Sequence, residues 1–593
     1  MNKKIIALGF VAVFCCLFVS GVPTSAQYNA TPELRYPLWV LSWDDISVAT
    51  GQGLFLQMNQ IGVRFDVTIK DDDPMYEGIY EIPRTFQIYE MSHGYGAVPE
   101  HVWWRMHSDN IVDWGSNGYC INNATVDTIL DNFMGATPAT LPALSAQVQQ
   151  IAKDNVPYIP LFLSDDTHAI RNNWVNYTMK PGGVFTSFNP QTMIYMYNET
   201  NLPDVAERGG EIRFIMAYPS DVGELNPLFY RSERSHWYDL LVYDPFISYD
   251  INMDPIPWMA ESFNLADDAT QLNFTIRAGA VWHDGVTPVT VNDANFTIHY
   301  YKDAPVDSTL WPFFQHVTST EIDGNTLVIN LDQPMAFALQ MIGDAYILPE
   351  HVRGGIDWLD PRWEDETNVT AQMGSGPFIY DSRSPDDFTL VTRNPNWWGP
   401  QLPNVESVMI RVVAGQDARI LAMRQGTADS ERYEVFGAYV NTILSAPELD
   451  LVTGLPSQWD YVLGFATNWS VAGYAGYGLE DINVRKAMAL AINRQQLVDI
   501  GRLGFGTVTN SVIPYEFYPS LYDSAGAWVE DVDAANAMLD AAGYIDVDND
   551  GIREFPGVTV PPPPPNLLLI GIAGVVALVV GMVVVYLIMR MRK

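Results

Sequence analysis

A mixed α/β fold with more than one large core is what the sequence predicts, and three observations predict it. Apolar residues alternate between helical and strand spacing along the chain. No repeat with a period of about 20 to 50 residues is visible, which argues against a solenoid. Roughly 530 residues lie between an apolar leader and an apolar tail, a length that supports two or more lobes.

The leader comes first. Lys3 and Lys4 precede an apolar run from Ile5 to Val19, and Thr24-Ser25-Ala26 offers small residues for cleavage. That layout predicts a secretory signal over residues 1–26. Cys15 and Cys16 lie inside the run without the preceding small residue that lipid attachment needs, so they read as part of the signal. Cys120 is then the only cysteine left, an ordinary buried thiol, and no intrachain disulfide is expected.

Within Gly53–Gly62, Leu54, Phe55, Met58 and Ile61 fall at helical spacing, and the alternation of Val63, Phe65, Val67 and Ile69 predicts a strand. Thr140 opens another helix, with Pro142 in its first turn and Leu144, Val148 and Ile151 on one face. Val156-Pro157 ends it, and the apolar Tyr158–Leu163 predicts the next strand. Asn201–Gly210 is polar and reads as a linker. Asp533–Ala542 reads as a helix closed by Gly543. Pro561–Pro565 predicts a stiff stalk of about 15 Å. The 23 residues from Leu567 to Met589 carry no charge, and as a helix they would reach roughly 35 Å, enough to cross a bilayer. Arg590, Arg592 and Lys593 follow, which sets the tail on the cytoplasmic side. Signal and span together predict a single-pass protein of the cell membrane whose ectodomain is extracellular.

The charge is strongly acidic, −38 over the chain. Leaving out Lys3, Lys4, Arg590, Arg592 and Lys593 lowers the 32 basic residues to 27 against 70 acidic ones, about −43 for the ectodomain. Such a surface repels nucleic acid, which is excluded as a partner. Eight Asn-x-Ser/Thr sequons, at Asn29, Asn123, Asn176, Asn198, Asn273, Asn295, Asn368 and Asn468, fit a glycosylated exterior.

Asp546-Val547-Asp548-Asn549-Asp550-Gly551 places carboxylates at alternate positions before a glycine, as a calcium-wrapping loop does. Gly557 stands where such loops carry a closing Glu, and Glu554 is the candidate replacement; the alternative is a solvated acidic turn. His283-Asp284-Gly285 sits between a strand and a turn and reads as structural. No Gly-x-Ser-x-Gly, His-Glu-x-x-His or phosphate-cradling glycine loop occurs, so no catalytic residues and no required cofactor are assigned.

From Pro257 the text becomes specific. Trp258-Met259-Ala260-Glu261-Ser262-Phe263, Leu272 to Arg277, Val281-Trp282-His283-Asp284-Gly285 and Thr290-Val291-Asn292-Asp293 follow one another in order. Gly374-Ser375-Gly376-Pro377-Phe378, Asn394 to Gly399, and Asn483-Val484-Arg485-Lys486-Ala487 with Ile492-Asn493-Arg494 come later. This ordered set resembles family-5 extracellular solute-binding proteins, the dipeptide- and oligopeptide-binding proteins of ABC importers. The resemblance implies a bilobed, class II periplasmic-binding-protein-like α/β fold with two crossover segments, expected near Trp459–Phe465 and Tyr158–Phe162.

The family's segment after Asp546 continues into a strand and helix, whereas this chain enters its proline stalk. Trp39–Ile69 and Pro157–Leu161 resemble the missing part, so the chain is expected to be circularly permuted. Residues 209–560 would be the N-terminal part of the binding domain and 33–208 the C-terminal part, with the stalk at 561–565 and the anchor at 566–593. A truncated tandem pair or a mis-assembled gene is the rival reading.

By the same resemblance the ligand meets Met91–Pro99, and the assigned binding residues are His93, Gly94, Tyr95, Trp103, Trp397 and Arg485. Peptide binders of the family carry an aspartate where this chain has Tyr95, which leaves an oligosaccharide open beside a peptide; aromatic rings suit sugar faces. The alternative for each aromatic is a place in the core, and for Arg485 packing or an ion pair at a helix start near the cleft. The metal candidates are Asp546, Asp548, Asp550 and Glu554. The implied role is capture of a solute and its delivery to ABC permease and ATPase subunits, without enzymatic activity. A surface receptor that no longer serves import is the alternative.

Overall fold

The computed structural model describes residues 33–557 apart from 166, 179–190, 200–209, 217–224, 229–232, 306–309, 385–386, 414, 432–434, 436, 454 and 468–477. The expected leader, the stalk, the anchoring span and nearly all of the 201–210 linker lie outside the described residues. Among the described residues no helix is long and apolar enough to cross a membrane.

The first sheet grows from the alternation read at the front of the chain. Arg64–Lys70 is a strand, and Arg35–Leu41 runs parallel to it in an unbroken register from Arg35↔Arg64 to Leu41↔Lys70. The helix between them spans Asp45–Met58 and continues as a single 3-10 turn through Ile61. It begins well before Gly53 because Asp44 caps it, its carboxylate accepting from the Ile46 N–H at 3.0 Å. Six strands complete the sheet in the order Arg64–Lys70, Arg35–Leu41, Ile88–Gly94, Pro456–Phe465, Tyr158–Asp165, Gly506–Val508. Four come from the front third of the chain and two from the rear.

The inner strands Pro456–Phe465 and Tyr158–Asp165 are buried along nearly their whole length, as strands covered on both faces must be. Their close packing depends on Gly464. A Cβ there would stand 2.6 Å from the Tyr89 ring and 2.7 Å from that of Tyr119.

A second sheet has seven strands, in the order Phe378–Ser384, Phe388–Arg393, Ser407–Val412, Glu211–Met216, Ser430–Glu431, His168–Arg171, Leu449–Val452. His168–Arg171, from the front of the chain, is inserted among rear strands, pairing with Ser430 and with Leu449–Val452. Among the described residues the chain passes between these two sheets at two places, from Asp165 to His168 and from Val452 to Pro456. Trp459–Phe465 and Tyr158–Phe162, expected as crossovers, are instead strands inside the six-stranded sheet. Their run of apolar residues belongs to a sheet interior and leaves the passages to the more polar residues beside them.

A third sheet of four antiparallel strands, Ala260–Leu265, Gln271–Ile276, Thr326–Leu331 and Val317–Asp323, buries Leu272, Phe274, Ile276, Leu327, Ile329 and Leu331 on one face. The helix Val291–Lys302 opens with a capping box in which Thr290 and Asp293 satisfy each other's backbone N–H groups. His283-Asp284-Gly285 is a turn. The Asp284 carboxylate accepts from the Val286 and Thr287 N–H groups, while His283 accepts from Gly374 N–H at 3.2 Å and donates to the Gly376 carbonyl at 3.2 Å. Burial lowers His283 to a pKa of about 4, so the ring is neutral and serves as a brace. Glycine is required at 374, where a Cβ would lie 2.0 Å from the Val242 carbonyl oxygen.

Candidate ligand-binding site

The strand Ile88–Gly94 is the element on which the expected site rests. It pairs antiparallel with Pro456–Phe465, placing Gly94 opposite Trp459 and His93 opposite Asp460. Tyr95 extends the ladder through its N–H to the Gln458 carbonyl at 2.9 Å. An acidic residue within a strand this apolar needs a partner, and Asp460 has two. Arg105, on the helix His101–Met106, donates from both terminal nitrogens to the carboxylate at 3.1 and 3.3 Å, and Tyr95 donates its hydroxyl hydrogen at 2.7 Å. Arg105 also donates to the Gly94 carbonyl at 3.2 Å. Both charged side chains are buried, at 5% and 0% exposure, so the charge pair is closed off from water.

Aromatic rings surround it. Tyr89 stacks on Tyr119 with centroids 5.9 Å apart, Tyr119 stacks on Tyr158 at 4.8 Å, and the Tyr95 ring meets His101 at 4.4 Å. Burial, reinforced by the Arg105 charge, holds His93 and His101 well below the ordinary histidine range, so both are neutral. His101 Nε2 donates to the Val512 carbonyl at 2.8 Å, leaving Nδ1 as an acceptor without a hydrogen-bond partner. His93 Nδ1 also has none, and its Nε2 meets the Tyr80 hydroxyl at 3.3 Å.

The expected ligand-facing backbone of Met91–Pro99 is largely met from within the protein. Arg105 takes the Gly94 carbonyl, and the Tyr518 hydroxyl takes those of Gly96 and Val98 at 2.8 and 3.1 Å. Tyr95 is 3% exposed with its hydroxyl committed to Asp460, so it orients the strand's charge pair rather than presenting a free polar tip. Trp103 donates to Asp131 at 3.1 Å and stacks on His107 at 4.8 Å.

Two assigned residues stand elsewhere. Trp397 is 5% exposed and packs with Trp258, Trp398 and Ile194 beside the buried Asp244, which accepts from the Trp258 and Trp398 indole N–H groups at 2.8 Å each. Arg485 is buried on the helix Ile482–Ala491 and donates to the carbonyls of Val156 (3.0 Å), Asn155 (2.7 Å) and Leu479. It thereby closes the C-terminus of the helix Leu141–Asn155, and burial lowers its pKa to about 10. Among the described residues its guanidinium packs against backbone carbonyls at a helix end.

The residues that the sequence reading passed over lie around the helix His101–Met106. Glu100 immediately precedes it, with its carboxyl oxygen Oε2 buried and without a hydrogen-bond partner; burial raises its pKa to about 8, and the charge of Asp344 adds to the rise. Asp344, beside the four-stranded sheet, is raised by burial to about 7 and accepts from the Tyr249 hydroxyl at 2.6 Å. Trp104 meets Phe313 edge-on at 6.2 Å, and Phe133 meets Phe337 at 5.3 Å. Each of these contacts joins a helix on the side of the six-stranded sheet to a helical segment on the side of the four-stranded sheet. The sequence signal was Asp460, a lone carboxylate in an apolar strand that demanded an Arg partner.

Among the metal candidates, carboxylate oxygens of Asp546, Asp548 and Glu554 lie within 4.8 Å of one another. Asp550 is outside this group and accepts from the Ile552 N–H at 2.8 Å instead.

Three of the similar known proteins are representative. A Brucella ovis protein named for peptide binding by an ABC transporter is 27% identical over 334 residues, 54% of this chain and 58% of that one. The nickel-binding periplasmic protein of Escherichia coli is 23% identical over 349 residues, 58% of this chain and 63% of its own length. The chain thus spans less than two thirds of the length of these relatives. A crystal structure of NikZ from Campylobacter jejuni with Ni(L-His) superposes over 60% of this chain and 66% of that one, with a TM-score of 0.46 and 17% identity. The model of the bacterial extracellular solute-binding proteins, family 5, middle region, matches residues 254–573, more than half the chain, and the chain belongs to that family.

Proposed function

We propose that this protein is the extracellular solute-capture component of an ABC importer and not an enzyme, with a ligand that carries a cationic group, a peptide's α-amino group being the favoured case. One observation carries the reading: Glu100 and Asp344, beside helices on the sides of different sheets, are half-buried residues whose carboxyls burial holds above their ordinary pKa values, and the Glu100 Oε2 is itself buried without a hydrogen-bond partner. A cation between them supplies the countercharge that burial withholds. Among the described residues the chain joins the six-stranded sheet to the seven-stranded one, between whose strands Glu211–Met216 and Phe378–Ser384 the four-stranded sheet is inserted, at 165–168 and 452–456, so two lobes hinging there would close on the ligand, with Trp104 and Phe313 meeting across the gap. The closed form then docks on permease and ATPase subunits.

His93, whose Nδ1 is unpartnered, and the half-buried Trp103 belong to the wall of this cleft. The permuted order is part of the proposal, since front strands complete sheets that rear strands begin. The signal, the extracellular single-pass anchor and glycosylation at the sequons also remain part of it. An oligosaccharide is the weaker ligand class here, because a neutral sugar leaves Glu100 and Asp344 without a countercharge.

Isothermal titration of the full chain against a mixed tripeptide set and the same set N-acetylated is the test. Binding that acetylation weakens at least about tenfold supports the reading. Equal binding of both sets overturns the cationic group, and binding of neither overturns the peptide.

A further inference from the structure

The carboxylate loop at the end of the described chain has no part in the cleft, yet it carries charges that the protein leaves unanswered. Glu554 is 1% exposed; its Oε2 accepts from the Val547 N–H at 2.7 Å, but its Oε1 is buried and has no partner. Asp546 repeats the pattern, with Oδ2 accepting from the Gly551 N–H at 3.1 Å and a buried, unpartnered Oδ1. Asp548, which is exposed, completes a set of three carboxylate oxygens within 4.8 Å.

The nearby cation does not serve them. Arg553 donates to Asn536 at 2.9 Å, to the Tyr544 carbonyl at 2.6 Å, to the Ile61 carbonyl at 2.9 Å and to Asp540. Three carboxylates this close repel one another, and two of their oxygens have lost water without gaining a donor.

We propose that Asp546, Asp548 and Glu554 bind a calcium ion. A hard divalent cation answers both deficits at once, and the donor set is all oxygen. Calcium suits it better than magnesium. An irregular loop supplies ligands at varied distances, which calcium accepts and the strict octahedron of magnesium does not. Backbone carbonyls of the loop and water fill the remaining positions.

The ion would sit on a seam. Glu554 forms a β-bridge with Glu33 and another with Ile545. The Leu34 N–H donates to the Arg553 carbonyl at 2.8 Å, and the Arg553 N–H to the Gly62 carbonyl at 2.9 Å. Residues 545–554 therefore clamp the start of the first βαβ unit, and metal binding fastens this end of the rear segment to the front one.

The test is equilibrium dialysis of the EGTA-treated full chain against radioactive calcium, with thermal melts in calcium, in magnesium and in EGTA. We expect one calcium per chain and, at a calcium concentration 100-fold above Kd, a melting temperature higher by about 3 °C or more. Asp548→Asn, at an exposed position, should lower calcium affinity at least about tenfold. Glu554→Gln should lose the calcium response yet melt in EGTA no lower than wild type, because it relieves the repulsion. Absence of calcium uptake by wild type at millimolar concentration overturns the proposal. So does unchanged uptake by Asp548→Asn, even where Glu554→Gln does not fold. Magnesium binding as tight as calcium overturns the choice of ion.

Discussion

The Tyr95 hydroxyl donates to Asp460 Oδ2 across 2.7 Å, joining residues 365 positions apart in the chain. Arg105 holds the same carboxylate from the other side, so the charge pair and the tyrosine form one buried unit. Tyr95→Phe removes one hydrogen bond and leaves the ion pair intact, at an expected cost of about 1 kcal/mol. Arg105→Leu strands the carboxylate in the interior and should cost about 3–5 kcal/mol. Urea denaturation of both variants checks the ranking; equal costs would mean that the ion pair contributes no more than the tyrosine.

Asp244 invites a second comparison. It is fully buried and accepts from the indoles of Trp258 and Trp398 at 2.8 Å and from the Ser375 hydroxyl at 3.0 Å. Asp244→Ala leaves three donors unanswered, those of the buried Trp258 and Ser375 and the half-buried Trp398, an expected loss of about 3 kcal/mol or more, whereas Asp244→Asn keeps an acceptor and should lose less. Thermal unfolding of the two variants separates the outcomes.

The pH dependence at Glu100 has a definite sign. Its carboxyl is raised from 4.5 to about 8 by burial, so the folded chain holds a proton that the unfolded chain releases. The stability from that neutral carboxyl is fully present below about pH 4.5 and is lost as pH rises through about 8. Glu100→Gln should therefore gain on wild type between these limits. Denaturation midpoints at several pH values test it, and parallel curves for the two proteins would contradict the burial of this group.

The same ionisation bears on binding. A cationic ligand favours the charged carboxyl, so affinity should rise with pH up to about 8, with proton release on binding below that value. Glu100→Gln should flatten the profile. Titration calorimetry in two buffers of different ionisation enthalpy counts the protons.

Trp104 and Phe313 supply an apolar contact between the helices His101–Met106 and Trp311–Phe314, with ring centroids 6.2 Å apart. Each single Ala substitution should weaken ligand binding several-fold, and the double variant should lose less than the sum, because the second removal finds the contact already gone. Additive losses would show that the rings do not meet in the bound state.

Much of the fold was legible because it is written in local patterns. Phe65 and Val67 alternate as a strand must, although Val63 lies just before that strand and Ile69 is exposed, and Pro142 and Gly543 mark a helix start and a helix end where the structure has them. The ordered blocks after Pro257 carried the family. The passages between sheets were misplaced by a few residues, because an apolar run reads the same in a connecting strand as in an inner one, and only pairing partners tell them apart. The site was less legible still. Trp397 and Arg485 sit in blocks that resemble the family, but their contacts are a tryptophan cluster and a helix end, which no spacing reveals. Glu100 escaped notice because an acidic residue before a helix looks ordinary until its surroundings are known to be dry.

The interleaving of front and rear strands has a consequence for how the protein comes into being. Ile88–Gly94 has only the two-residue pairing with Arg35–Leu41 until Pro456–Phe465 has been made, so the earliest strands wait through most of synthesis with a bare edge. A product cut short before that point cannot finish its first sheet and would offer the open edge to other chains. Assembly of this molecule is thus a check on its own completeness.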